Sequence, residues 1–192
     1  MAFVLFFAVH AIAHDVEELK RQVESYINNV CCIASDFIQL FGDGKCYSGK
    51  FYLLRKKGDT KVKIDYVEGI KQKIFINNGT ITILQNGRMY NSSIEKMPIY
   101  SVLSGRLNLK NETVEIIENS DNLLRIKIKN FRGFALTLVF SKYEKTKNIQ
   151  TLEAWIVDDG NVETLFSLNS ENRTINDEKS IPKGTFSNEK AR

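Results

Sequence analysis

GKFYLLRKKGDTKVKIDY, residues 49–66, is the stretch on which the fold turns. Strand side chains alternate between two faces, so Phe51 and Leu53 share one side, as do Val62, Ile64 and Tyr66 after the Lys-Lys-Gly-Asp break. Arg55 keeps step with Phe51 and Leu53 and therefore puts a cation in an apolar row. An exposed arginine at a strand end, beside Lys56 and Lys57, is the ordinary explanation.

Outward from this stretch the period of two recurs in short segments: ASDFIQLF, KCYSGKFYLL, KVKIDY, KIFIN, TITIL, VEIIE, LLRIKIKN, FALTLVF, IQTLEAWIV and VETLFSL. Gly42-Asp43-Gly44, Asn78-Gly79, Asn86-Gly87, Asp121-Asn122 and Asp159-Gly160 supply turns between them. Strands this closely spaced, with few helices between them, form an antiparallel meander. Two amphipathic helices are expected. In DVEELKRQVESYINNV, Val16, Leu19, Val23, Tyr26, Ile27 and Val30 make one stripe. In MPIYSVLSGRLNL, Pro98 opens a helix with Ile99, Val102, Leu103 and Leu107 on one side, and Gly105 ends it. Residues from about Thr185 read as a frayed, polar end.

The 192 residues are 43% hydrophobic and 26% charged, the content of one domain with a substantial core. A net charge of +4 is too small and scattered to mark a nucleic-acid binder, and no face interleaves aromatic with basic residues, so no nucleic-acid partner is expected. At the start, the apolar run Ala2 to Val9 and the small-x-small triplet Ala11-Ile12-Ala13 read as an export signal over residues 1–13, leaving one domain over 14–192. Catalysis is not expected. The two histidines, His10 and His14, lie in or beside that signal, which leaves no base for a Ser or Cys triad and no His-rich metal site. No Gly-rich loop opens a helix as a phosphate cradle, and no cofactor is expected. Cys31, Cys32 and Cys46 form an odd set. If Gly42-Asp43-Gly44 is a hairpin turn, Cys46 faces Leu40 and is too far from Cys32 to bridge. Buried structural thiols are then the main reading, and a redox role for Cys31 or Cys32 the lesser one.

The order of several weak motifs resembles the periplasmic lipoprotein carrier family LolA. An export signal and a helix precede S-x-F-x-Q (Ser35, Phe37, Gln39). G-x-F-x-x-x-R follows (Gly49, Phe51, Arg55), then an extended segment ending at Tyr66, an Asn-Gly turn, and a short helix opened by Pro98. Trp155, Asp159-Gly160 and Ile181-Pro182-Lys183-Gly184 continue the likeness. The resemblance implies a mainly β (α+β) fold: an incomplete antiparallel β-barrel, or half-barrel, whose short helices form a lid over an apolar cavity. It also implies a periplasmic monomer that takes acylated lipoproteins from an inner-membrane lipoprotein-releasing ABC transporter and passes them to an outer-membrane lipoprotein receptor. A lipid- or lipoprotein-sensing regulatory module on the same scaffold is the alternative.

Arg55 matches the family's arginine that ties lid to barrel through backbone carbonyls. Lys56 replaces the family's following proline, Ile64 stands where tryptophan is frequent, and the lysine-rich loop after Arg55 reads as longer than usual. On the resemblance, Leu53, Val62, Ile64, Tyr66, Ile74 and Ile76 line the acyl-chain trough together with Ile81 and Ile83, and Ile99, Val102 and Leu103 face them from the lid. Periodicity alone favours a plainer outcome, in which the helices complete an ordinary core.

Overall fold

The computed structural model describes the backbone over residues 3–131 and 133–187, and side chains over 16–129 and 133–187. In chain order the elements are α1 (Phe3–Asn29), β1 (Cys32–Phe41), β2 (Cys46–Lys56), β3 (Asp59–Glu68), β4 (Gln72–Asn77), β5 (Thr80–Gln85) and β6 (Arg88–Ser93). They continue with α2 (Pro98–Ser104), β7 (Thr113–Asn119), β8 (Leu123–Phe131), β9 (Phe134–Lys142), β10 (Ile149–Asp158), β11 (Glu163–Leu168) and β12 (Thr174–Ile175). All strands belong to one antiparallel sheet of order β6-β5-β4-β3-β2-β1-β11-β10-β9-β8-β7, with β12 added beside β1.

Two meanders are thus joined by the β1–β11 pairing, and the sheet stays open between β6 and β7. Those two edge strands are consecutive in sequence, so the chain between them has to cross the open side. That crossing segment carries α2. Pro98 opens α2 with a preset φ and no N–H to lose, and Gly105 closes it in the left-handed region at φ 67°. α1 packs on β10, β7 and α2, while α2 packs on β3 and β9. The inner face of the sheet therefore meets two helices.

Each of the ten expected strands is present; β6 and β12 were not anticipated. The β6 sequence RMYNSS is exposed at every position and shows no alternation, so its partner β5 rather than its own pattern makes it a strand. The lysine-rich loop after Arg55 is shorter than expected. It is a two-residue turn, Lys57-Gly58, with both residues at positive φ as a type I′ hairpin requires. α1 includes the expected stripe but begins at Phe3. Met1 and Ala2 of the expected export signal lie outside the described residues, as do the side chains of the rest of it. Among the described residues no helix is long and apolar enough to cross a membrane. Residues 188–192 lie outside the description, and Thr185 is not frayed: it is buried and its hydroxyl donates to the Pro182 carbonyl at 2.7 Å. Cys46 does face Leu40, but both sit on the outer face and Cys46 is exposed, which corrects the expectation of a buried thiol there.

Candidate functional site

The inner face is built by the alternating residues of the motifs. Ser35, Phe37 and Gln39 all point inward from β1; Phe37 is buried, and Gln39 accepts a hydrogen bond from the Tyr66 hydroxyl at 2.5 Å. Phe166 stacks between Phe37 and Trp155, with ring centres at 4.5 and 4.4 Å, and Phe51 meets Trp155 and Phe166 edge-on. The motif glycine has a steric origin. A Cβ on Gly49 would stand 2.1 Å from the Asp65 carbonyl oxygen, because β2 and β3 press together at an irregular register beside it.

Arg55 is half-buried at the end of the Phe51–Leu53 row, under the ends of both helices. Its Nε donates to the Leu103 carbonyl at 2.7 Å and its Nη2 to the Val102 carbonyl. Nη1 donates to the carbonyls of Ile27 at 2.5 Å and Val30 at 2.8 Å. Carbonyls in the last turn of a helix lack the next turn's N–H groups and carry the negative end of the helix dipole, so one guanidinium serves two helix ends. Burial pulls its pKa down to about 10, which leaves it charged at neutral pH. The left-handed cap residue Gly105 makes room for it: a Cβ there would lie 2.7 Å from Nη1.

Three further side chains hold α1, and the sequence did not mark them. The Asn28 amide donates to the Leu107 carbonyl and accepts from the Leu107 N–H, both at 3.0 Å. The Glu24 carboxylate accepts from the Leu109 N–H. The Tyr26 hydroxyl accepts from the Leu152 N–H at 2.9 Å and donates to Thr151 Oγ1 at 3.3 Å. Tyr26 was legible only as part of the apolar stripe, and nothing in sequence spacing singles out Asn28 or Glu24.

The expected trough residues divide into two groups. Leu53, Val62 and Ile76 of the sheet and Ile99, Val102 and Leu103 of α2 are buried in one core. The space left among Arg55, Leu53, Phe51, Trp155, Val102 and Leu103 is about 10 Å³, room for about one water at most. Beneath the lid, apolar side chains of α1 and α2, Ile27, Val30, Val102 and Leu103 among them, pack against the inner face of the sheet. Ile64, Tyr66, Ile74, Ile81 and Ile83 remain half-buried. Strand register aligns Phe51, Ile64, Ile74, Ile83 and Tyr90 across β2 to β6, from a buried phenylalanine to a tyrosine that is 50% exposed. A continuous apolar row thus runs out from under the helices to an open edge. Among the described residues no group of three or more His, Cys, Asp or Glu is placed to hold a metal.

An open antiparallel sheet whose inner face is capped by two helices is the half-barrel fold class expected from the sequence. Among solved structures, one of MucB is similar with a TM-score of 0.51 and 8% identity; the likeness covers 84% of this chain and 58% of that one. The Pseudomonas aeruginosa MucA/MucB complex gives 0.49 and 7% identity, over 89% of this chain and 62% of that one. A LolA superfamily protein from Nitrosomonas europaea gives 0.44 and 8% identity, over 89% and 96%. The chain thus spans about three-fifths of the MucB chains it is similar to. No family model and no curated protein matches the sequence.

Proposed function

We propose that this protein is an exported lipid-binding carrier that shields the acyl chains of lipoproteins, with α1 and α2 as a plug that cargo displaces. The observation that supports this reading most is the Arg55 clamp. Two helices whose apolar sides face the inner side of an open sheet have carbonyls at both their C-terminal ends bonded by one guanidinium. Such a plug can leave as a unit. Acyl chains cannot cross water unshielded, since each methylene is worth about 0.8 kcal/mol and even ten amount to roughly 8 kcal/mol. A sheet face that trades helix side chains for acyl chains stays covered throughout the exchange, so release needs only the helices to return. The row Ile64–Ile74–Ile83–Tyr90 gives a chain a place to lie before the plug moves.

In this reading the signal is cleaved after Ala13, the site of action is the periplasm, and no reaction is catalysed. Cargo comes from an inner-membrane lipoprotein-releasing ABC transporter and goes to an outer-membrane receptor. The similarity to MucB supports a second reading, a regulatory module that binds a lipid signal and a protein partner. Native mass spectrometry of the protein purified from an envelope fraction tests both. Co-purified acylated polypeptide, retained more strongly by Arg55→Leu, is expected of the carrier. A stoichiometric non-acylated protein partner would favour the regulator, and absence of both acylated cargo and binding of a fluorescent fatty acid would remove the carrier reading.

A further inference from the structure

The connection from α1 to β1 contains two adjacent thiols. Cys31 and Cys32 have their sulfurs 3.8 Å apart. Cys32 is buried, whereas Cys31 is half-buried and reachable from solvent. The dipeptide is held by three backbone hydrogen bonds. The Cys31 N–H donates to Asn176 Oδ1 at 2.8 Å, the Asn176 N–H to the Cys32 carbonyl at 2.9 Å, and the Arg55 N–H to the Cys31 carbonyl at 2.7 Å. The preceding carbonyl, on Val30, is a ligand of the Arg55 guanidinium. The thiol pair therefore sits inside the joint by which α1 is attached to the sheet, one residue from the clamp.

We propose that Cys31 and Cys32 are a redox modification site whose oxidation to a vicinal disulfide loosens the Arg55 clamp and releases α1 and α2 from the sheet. The inference rests on the plug reading above for its consequence but not for the bond itself. An S–S bond of about 2.05 Å must replace the present separation, and neighbouring Cα atoms about 3.8 Å apart are closer than disulfide-linked ones ordinarily are. The ring can close only if the backbone at 31–32 turns. That turn acts on the carbonyls of Cys31 and Cys32 and on the adjoining Val30, the groups bonded by Arg55 and Asn176.

The chemistry is exchange with an external disulfide, R–S–S–R′, of the kind available wherever thiols are oxidised. The Cys31 thiolate attacks one sulfur and expels the first external thiolate, giving a mixed disulfide. Cys32 then gives up its proton, attacks the Cys31 sulfur and expels the second external thiolate. The pair loses two electrons and two protons, and R–S–S–R′ gains both. Order follows from exposure, and it agrees with burial and the Cys31 sulfur together pushing the Cys32 thiol up to about 12: the half-buried thiol starts and the buried one resolves.

Oxidised glutathione serves as the probe, acting on the full chain carrying Cys46→Ser, an exposed position whose change leaves Cys31 and Cys32 as the remaining thiols. The expected product, without denaturant, loses about 2 Da, carries no glutathione and resists alkylation until reduced. Residues 98–104 and the last turn of α1 should then exchange amide hydrogens about tenfold faster, returning to the starting rate on reduction. The further change Cys31→Ser should abolish both effects. A persistent glutathione adduct, or a bridge that forms only in denaturant, would overturn the site. A native bridge with unchanged exchange would overturn its coupling to the helices. Neither readout involves lipid, so a failure of lipid carriage is seen separately, by the fatty-acid probe.

Discussion

Arg55 answers for its own place in the row: it is the cation that lets two helices end over an apolar sheet without orphaned carbonyls. Replacing it with leucine removes the guanidinium from all four carbonyls and leaves only that of Val102 a second donor, the Gly105 N–H, among the bonds described, which should cost about 2–4 kcal/mol in denaturant unfolding and accelerate amide exchange in α2. Lysine should restore less than half of that. A point-like ammonium cannot reproduce the guanidinium's divergent donors toward Leu103, Val102, Ile27 and Val30. If Arg55→Lys unfolds as the wild type does, charge alone and not the fork holds the helices. Tyr66 gives a second check at this scale. Burial, and to a lesser degree Tyr47, raises its phenol to about 12, against an ordinary value near 10. The folded state thus keeps a proton that the unfolded chain gives up. Its contribution is complete below about pH 10, declines as pH rises from about 10 to about 12, and should be missing from the stability–pH profile of Tyr66→Phe.

At the scale of elements, legibility followed the physics of patterning. Strands with one wet and one dry face were readable, since a period of two is what such a face imposes. β6 escaped because an edge strand in solvent has no dry face to betray it. α2 was marked by proline at its start and glycine at its end, both dictated by local backbone chemistry. The clamp residues of α1 were not marked: Asn28 bonds a backbone 79 positions away, and no local rule encodes that distance. The same holds for Arg173, whose guanidinium forms a two-point ion pair with Glu153 beside the register shift in β10. Asn28 is the sharper test of the lid as a mechanical unit, because its amide is matched to the two backbone groups of Leu107. Asn28→Ala should cost about 1–3 kcal/mol and raise exchange selectively at Leu107 and in α2, leaving β8 to β10 protected. Uniformly faster exchange over the sheet would instead make α1, α2 and the sheet one cooperative unit.

For the whole molecule, the decisive feature is that the sheet has two ends and the chain between them spans the gap. Motif order pointed to the architecture, but whether the interior was hollow lay beyond patterning, since an apolar row reads the same under a ligand or under a helix. The structure puts the two cases on neighbouring rows, Leu53–Val62–Ile76 under the helices and Phe51–Ile64–Ile74–Ile83–Tyr90 running out to the edge. Val62 is 1% exposed within the filled core, whereas Ile83 is half-buried on the row that leads to Tyr90. A glutamate at Val62 would bury an unpaired charge, a cost of several kcal/mol against a total stability of about 5–15 kcal/mol. Val62→Glu should therefore be largely unfolded and uninformative about cargo. Ile83→Glu can turn its carboxylate to solvent, keeping the thermal midpoint within a few degrees while placing a charge where an acyl chain would first lie. Measured side by side in a fluorescent fatty-acid titration, Ile83→Glu should bind about tenfold more weakly than the wild type at unchanged fold. Wild-type affinity in that variant would show that chains reach the inner face by another route, from the α1 side, and the row between β3 and β6 would then be no more than an exposed flank of the core.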